Sequence, residues 1–181
     1  MSNMKKIKCN IFKCNIFKCN FKSIFRTKSK CNDIFSDVTL KNTPWFTLKD
    51  ITAICKVVDV YDGDTITVAV EYCRKIVLVK VRLEGIDTPE KRTKDLYEKK
   101  IALKATKWLS DLILNKNIWV NFKGWGKYGG RMIGTLFLTS DDVFKKKSIN
   151  DILIQKGIAT PYFGKKKIEF RDWYDPNNDL I

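Results

Sequence analysis

Residues 51–83 read I-T-A-I-C-K-V-V-D-V-Y-D-G-D-T-I-T-V-A-V-E-Y-C-R-K-I-V-L-V-K-V-R-L, and this stretch decides the fold. Ile51–Val60 is rich in strand-forming residues, and Asp62-Gly63 is the kind of pair that closes a hairpin. Thr65–Val70 then alternates, with Ile66, Val68 and Val70 against Thr65, Thr67 and Ala69. Ile76–Leu83 alternates again. Ile76, Leu78, Lys80 and Arg82 share one face, and Val77, Val79, Val81 and Leu83 the other. Three antiparallel strands in succession make a meander.

Outward from the meander the period changes. Over Asp95–Leu114, Ile101, Ala105, Trp108 and Leu112 recur at three- and four-residue steps, as an amphipathic helix requires. Ile118–Phe122 and Arg131–Leu138 read as strands joined by the Gly-rich loop 124–130. Ser148–Lys156 reads as a short helix, with Ser148 as N-cap, Asp151 in its first turn and Gly157 as its stop. The order β-β-β-α-β-β-α is that of a five-stranded OB-type barrel. The expected class is α+β, mainly β, with two or three packed helices.

Composition divides the chain. It carries a net charge of +15 over 181 residues. Residues 1–32 hold nine Lys/Arg and no Asp or Glu, so the remaining 149 residues net only +6. Residues 1–45 are expected to be a disordered, basic, low-complexity arm, and 46–181 a folded domain. Within the arm, K-C-N-I-F recurs at a step of five, which keeps one face on neither a helix nor a strand. A Lys interrupts each apolar pair, so no membrane-spanning run or signal core occurs there. A basic surface attracts polyanions, nucleic acid first. The expected location is intracellular, in cytoplasm or nucleus. The acid-free head leaves organelle targeting and contact with an anionic membrane open.

The chain has no His, which removes Ser-His and Cys-His nucleophile pairs and the commonest metal ligand. A general base must then be a carboxylate or, less favourably, Lys, Tyr or Cys. No C-x-x-C occurs among the six cysteines, so zinc is not expected, and neither is a disulfide framework.

The candidate chemistry lies in three segments. Asp64 and Asp87 fall at strand ends, and with the Thr88 carbonyl they offer oxygens to a hard cation such as Ca²⁺. Read alone, Asp62-Gly63-Asp64 is an ordinary turn. Arg82 stands in an apolar strand, where a charge is costly unless paired. Two readings stay open for it, an ion pair with Asp87 or a clamp on a phosphate. Arg131 follows Gly129-Gly130 and can approach the same phosphate. Lys127 and Tyr128 place a cation beside an aromatic ring, as a nucleotide needs. Trp119, Phe122, Trp125 and Phe137 read as packing residues.

Together, D-G-D-T (62–65), R-L-E-G-I-D-T-P-E (82–90) and K-Y-G-G-R (127–131) resemble the staphylococcal nuclease (thermonuclease) family over roughly residues 52–164. The resemblance implies an OB barrel and a Ca²⁺-dependent endonuclease or exonuclease hydrolysing DNA and/or RNA, with single strands preferred. Position by position, Asp64, Asp87 and the Thr88 carbonyl resemble the metal ligands, with Asp62 as an acid beside them. Glu90 resembles the residue that orients or deprotonates water. Arg82 and Arg131 resemble the pair that stabilises charge on the scissile phosphate. Lys127, Tyr128 and Tyr162 resemble substrate contacts. Cleavage of the P–O5′ bond is implied by the family alone, and a monomer is expected. Three departures are Gly126, where an acid is usual, the additional glycine before Arg131, and a third helix expected to be short or absent, with Lys166–Tyr174 available for part of it. The rival reading is a catalytically silent OB module that binds single-stranded nucleic acid.

Overall fold

The computed structural model describes residues 36–127, 129–164 and 167–176. They fall into two units, 36–46 and 47–176. In the first, Thr43 N donates to Thr39 O at 3.1 Å and Thr39 N to Asn42 Oδ1 at 2.8 Å, which closes a turn. Of the arm expected over residues 1–45, residues 1–35 lie outside the described residues.

The second unit is built on β1 (Thr52–Asp62), β2 (Thr65–Tyr72) and β3 (Lys75–Leu83), the meander read from the sequence. The short β4 (Ile86–Asp87) precedes α1 (Leu96–Ile113). Then come β5 (Asn117–Trp125), β6 (Met132–Phe137), α2 (Ser140–Lys145), α3 (Ile149–Gln155), β7 (Thr160–Pro161) and α4 (Phe170–Trp173). Five strands close a barrel in the order β1-β2-β3-β6-β5, as expected for the OB type.

Closure depends on two local features. β1 serves two neighbours, pairing with β5 over Thr52–Lys56 and with β2 over Cys55–Asp62. Register shifts between Val57 and Asp59 and between Val60 and Asp62 bend it from one partner to the other. The seam is a parallel β3–β6 contact of three residue pairs: Val81–Met132, Arg82–Ile133 and Leu83–Gly134. Buried Asn150, at the start of α3, staples this seam. Its Nδ2 donates to Glu84 O at 2.9 Å and to Gly134 O at 3.3 Å, and its Oδ1 accepts from Leu136 N at 3.1 Å. Both polar atoms of its amide are thereby used, in three hydrogen bonds.

The core is filled by the inward alternation of the strands, with Val57, Ile66, Val68, Val81, Val120, Phe122, Met132 and Leu136 fully buried. α1 packs on it through Ala105, Leu109 and Ile113, and buries Ile101 and Ala102 as well. This stripe is turned slightly from the expected one, because Trp108 and Leu112 sit at its margin. Asp95 caps α1, accepting from Tyr97 N at 2.9 Å and Glu98 N at 3.3 Å. Ser148 caps α3 as expected. Four helices are described where two or three were expected. α2, the one not foreseen, buries no residue and rests on a Thr139/Asp142 capping box, so no apolar stripe announces it. β4 and β7 are two residues each, too short for periodicity to reveal.

The seam generates a prediction. A Cβ on Gly134 would lie 2.8 Å from Val81 Cγ1 and 3.2 Å from Val120 Cγ1, both on stiff, fully buried side chains. Gly134→Ala should therefore lower the unfolding free energy by about 1–3 kcal/mol. Denaturant melts would show this, and an unchanged midpoint would contradict a close-packed seam.

Candidate active site

The site starts from one strand. The alternation that sends Val81 and Leu83 into the core turns Arg82 to the outer face of β3. Its register partners are Thr65 at the start of β2 and Ile133 on β6. Arg82 Nη1 contacts Asp64 Oδ2. Its Nη2 donates to Asp87 Oδ1 at 2.8 Å and to Ile86 O at 3.3 Å. Asp87 comes within reach because the chain reverses at Gly85, whose φ of +74° is a left-handed conformation that favours glycine. β4 then pairs with β7, and Tyr162 N donates to Gly85 O at 2.8 Å, fixing the loop.

The turn Asp62–Asp64 is locked to the same place. Asp64 N donates to Asp62 Oδ1 at 3.2 Å, and Thr65 Oγ1 donates to Asp64 Oδ1 at 2.8 Å. Gly63 is required by contact, because a Cβ there would lie 3.0–3.1 Å from three atoms of the Thr88 side chain. So the D-G-D turn packs on D-T-P-E, and an ordinary turn alone does not describe it. Arg131 Nη1 reaches Thr65 Oγ1 at 3.3 Å. Its approach is set by the loop after β5, where Gly129 and Gly130 both take positive φ and Gly126 N donates to Arg131 O at 2.9 Å.

Glu90 is exposed. Its backbone N donates to Glu98 Oε1 at 3.0 Å, tying it to α1. Its carboxylate pairs with Lys167 Nζ at 2.8 Å, and the same ammonium lies 3.0 Å from Asp87 Oδ1. Sequence reasoning missed Lys167. The only signal was the run Lys165-Lys166-Lys167, which reads as solvated surface. The segment carrying it is held by Arg171, which pairs with Asp95 at 2.7 Å, and by Phe170, whose ring centroid lies 6.1 Å from that of Tyr97 on α1.

These groups surround one cleft of about 880 Å³. Asp62, Asp64, Arg82, Thr88, Glu90, Lys127, Arg131 and Tyr162 all line it, with Lys167 among them. Asp87 is buried and joins the group through Arg82 and Lys167. Tyr128 lies outside the described residues. Phe122 and Phe137 are buried as expected, but Trp125 is half exposed and lines the cleft, because it stands at the end of β5 beyond the core. Phe163 was not foreseen there. It is 82% exposed, and only the Y-F pair at 162–163 hints at it.

The donor set suits a hard cation with a shell only partly supplied by protein. Burial is the strongest influence on Asp64 and raises its carboxyl to about 7; the Arg82 guanidinium opposes this, and the nearby Asp62 reinforces it. A buried acid in that balance favours added positive charge. Oxygens from Asp64, Asp87 and the Thr88 carbonyl have the right chemistry for Ca²⁺. Among the described residues no three acidic side chains converge, so water and phosphate oxygens would complete the shell. The two described cysteines lie elsewhere, Cys55 buried with its thiol pushed up to about 12 and Cys73 exposed.

The Asp64 shift has a defined sign. An acid whose folded value is raised binds its proton more tightly when folded. Its contribution is present at low pH and lost as pH rises from the ordinary 3.8 through about 7. With chelator present, the melting temperature should fall across that window. Asp64→Asn should flatten that fall, and Ca²⁺ should recover stability at neutral pH. Identical pH profiles for the two proteins would contradict the shift.

The model of the staphylococcal nuclease homologue family matches residues 80–175. The chain is 33% identical over 108 residues to an "uncharacterized endonuclease" of Haemophilus influenzae, covering 60% of this chain and 52% of that protein. It is 30% identical over 92 residues to the "probable endonuclease LCL3" of Colletotrichum graminicola, covering 51% of this chain and 33% of that protein. It thus spans about half the length of the first relative and a third of the second. The matched region runs from β3 through α4, and with it this chain belongs to the staphylococcal nuclease homologue family.

Proposed function

We propose that residues 46–181 form a Ca²⁺-dependent nuclease domain that hydrolyses phosphodiester bonds of DNA and/or RNA, preferring single strands. The observation that carries this reading is Arg82, which joins Asp64 and Asp87 beside a cleft also lined by Glu90 and Arg131. Asp64, Asp87 and the Thr88 carbonyl hold the cation, with Asp62 adjacent. When bound, Ca²⁺ supplies charge neutralisation at a phosphate oxygen. Glu90 orients and deprotonates a water in line with phosphorus, which requires it to release Lys167. Arg131 binds a non-bridging oxygen. Arg82 uses Nη1 and Nη2 on the protein, which leaves its Nε–H for the phosphate as negative charge builds. Lys127, Tyr128 and Tyr162 hold a neighbouring nucleotide. The bond broken is P–O5′, leaving a 3′-phosphate and a 5′-hydroxyl whose oxygen takes a proton from solvent, and the domain acts as a monomer inside the cell. Residues 1–45 act as a basic arm.

The silent-binder reading draws on one observation, the pairing of Lys167 with both Glu90 and Asp87. Cleavage of labelled single-stranded DNA and RNA by the full chain, with Ca²⁺ or chelator, separates the two readings. Cutting should require Ca²⁺ and collapse in Glu90→Gln. Arg131→Ala should lower kcat by about 10²-fold or more, the scale for losing one preorganised charge-stabilising group. Tight binding without cutting would establish the silent module instead.

Lys167 competes with any cation for the acids it pairs. Lys167→Met should therefore tighten Ca²⁺ binding about two- to fivefold, the scale of a partly exposed ion pair. Calorimetric titration would read this directly. Unchanged or weaker binding would show that Lys167 does not oppose the cation.

A further inference from the structure

A second cationic cluster lines the same cleft but comes from different segments. Tyr61, next to last in β1, is its centre. Lys91 Nζ lies over the Tyr61 ring, 4.7 Å from its centroid. Arg92 Nη2 donates to the Tyr61 hydroxyl at 2.8 Å. One half-exposed tyrosine thus gathers two cations, one on its face and one at its edge. Neither has a carboxylate within ion-pair distance among the described residues. Three other cations near the site are matched by acids, Arg82 by Asp64 and Asp87, Lys167 by Asp87 and Glu90, and Arg171 by Asp95, whereas Arg131 reaches the Thr65 hydroxyl. Two like charges held together without a counter-charge repel one another, and an anion between them relieves that repulsion.

Position defines the anion. Tyr61 directly precedes Asp62-Gly63-Asp64, and Lys91-Arg92 directly follow Glu90. Lys127, Gly129 and Arg131 approach the cleft from the loop between β5 and β6 instead. Cations on two separate segments that share one cleft suit a strand with phosphates on both sides of the reacting one. An exposed aromatic ring beside the pair offers a face on which a base stacks. Arginine adds a planar fork matched to phosphate oxygens.

We propose that Tyr61, Lys91 and Arg92 form a nucleotide subsite that binds the phosphate and base adjoining the scissile phosphodiester, on the side away from the Lys127–Arg131 loop. The subsite rests on the nucleic-acid reading above and adds to it a requirement for substrate length. A dinucleotide, with one internal phosphate, cannot fill both this subsite and the reacting position. A longer single strand fills both.

The test is binding of the full chain to oligothymidylates of two and six nucleotides, by fluorescence anisotropy and competition, in chelator so that no cutting occurs. Lys91→Ala and Arg92→Ala should each weaken hexamer binding several-fold and reduce the slope of log K against log salt by about 0.7, one single-strand phosphate contact. Dinucleotide binding should stay unchanged. Tyr61→Phe should lose part of the Arg92 effect by removing the hydroxyl, and Tyr61→Leu should lose more by removing the ring. Equal losses for both lengths, or no loss with the hexamer, would overturn the subsite. Ca²⁺-dependent cutting by the same preparation tests the underlying reading separately. Cutting that persists while the variants bind the hexamer normally removes the subsite alone. A wild-type protein that neither binds nor cuts removes both.

Discussion

The site depends on one guanidinium. Arg82 ties the turn before β2, the strand β3 and the short strand β4 into one unit through Asp64, Asp87 and Ile86 O. Two largely buried carboxylates would repel each other and suffer desolvation if left alone, and one planar cation between them relieves both costs. The arrangement is asymmetric. Removing one member of a buried ion pair costs about 3–5 kcal/mol, because the remaining charges stay buried without compensation. Lysine is a poor substitute, since a point charge does not span two carboxylates and a carbonyl as a fork does. The barrel contributes the register that makes this meeting possible: Thr65 opposite Arg82 on one side, Ile133 on the other.

That unit carries more positive demand than one arginine supplies. Asp64 remains raised by burial despite its contact with Arg82, and Asp87 takes a second cation in Lys167. Structure and proposed chemistry meet here. A site optimised for stability alone would place apolar residues around β3, as its inward positions do. Retaining buried acids, a partly buried cation and an exposed base candidate departs from local consistency in the way functional sites do. The C-terminal segment has a double character in this scheme. Phe170 and Arg171 fasten it to the body, and Lys167 projects from it onto the acids.

Much of this was legible in the sequence, for physical reasons. Period-two alternation over Thr65–Val70 and Ile76–Leu83 fixes which residues face inward, so the meander and the outward turn of Arg82 follow directly. The cap at Ser148 and the stop at Gly157 mark a helix by local hydrogen bonding alone. The rest was hidden because it is not periodic. β4 and β7 are formed by tertiary contact, and α2 by a capping box with no buried face. Asn150 looks like any helical polar residue until its three bonds across the β3–β6 seam are seen. Lys167 lies 77 residues from the acid it pairs with, and no local pattern links the two. Arg82 was readable as either an ion-pair partner or a phosphate ligand. The structure shows the ion pair, and the proposed chemistry asks the same group to do both.

The central claim is that water, activated in this cleft, attacks phosphorus. The most direct measurement is the isotopic composition of the product phosphate after the full chain cuts single-stranded DNA with Ca²⁺ in ¹⁸O-labelled water. The account predicts one solvent oxygen in the terminal phosphate for each bond cut, and none with chelator present. Cutting without incorporation, or bound DNA left intact by folded protein with Ca²⁺, would contradict it.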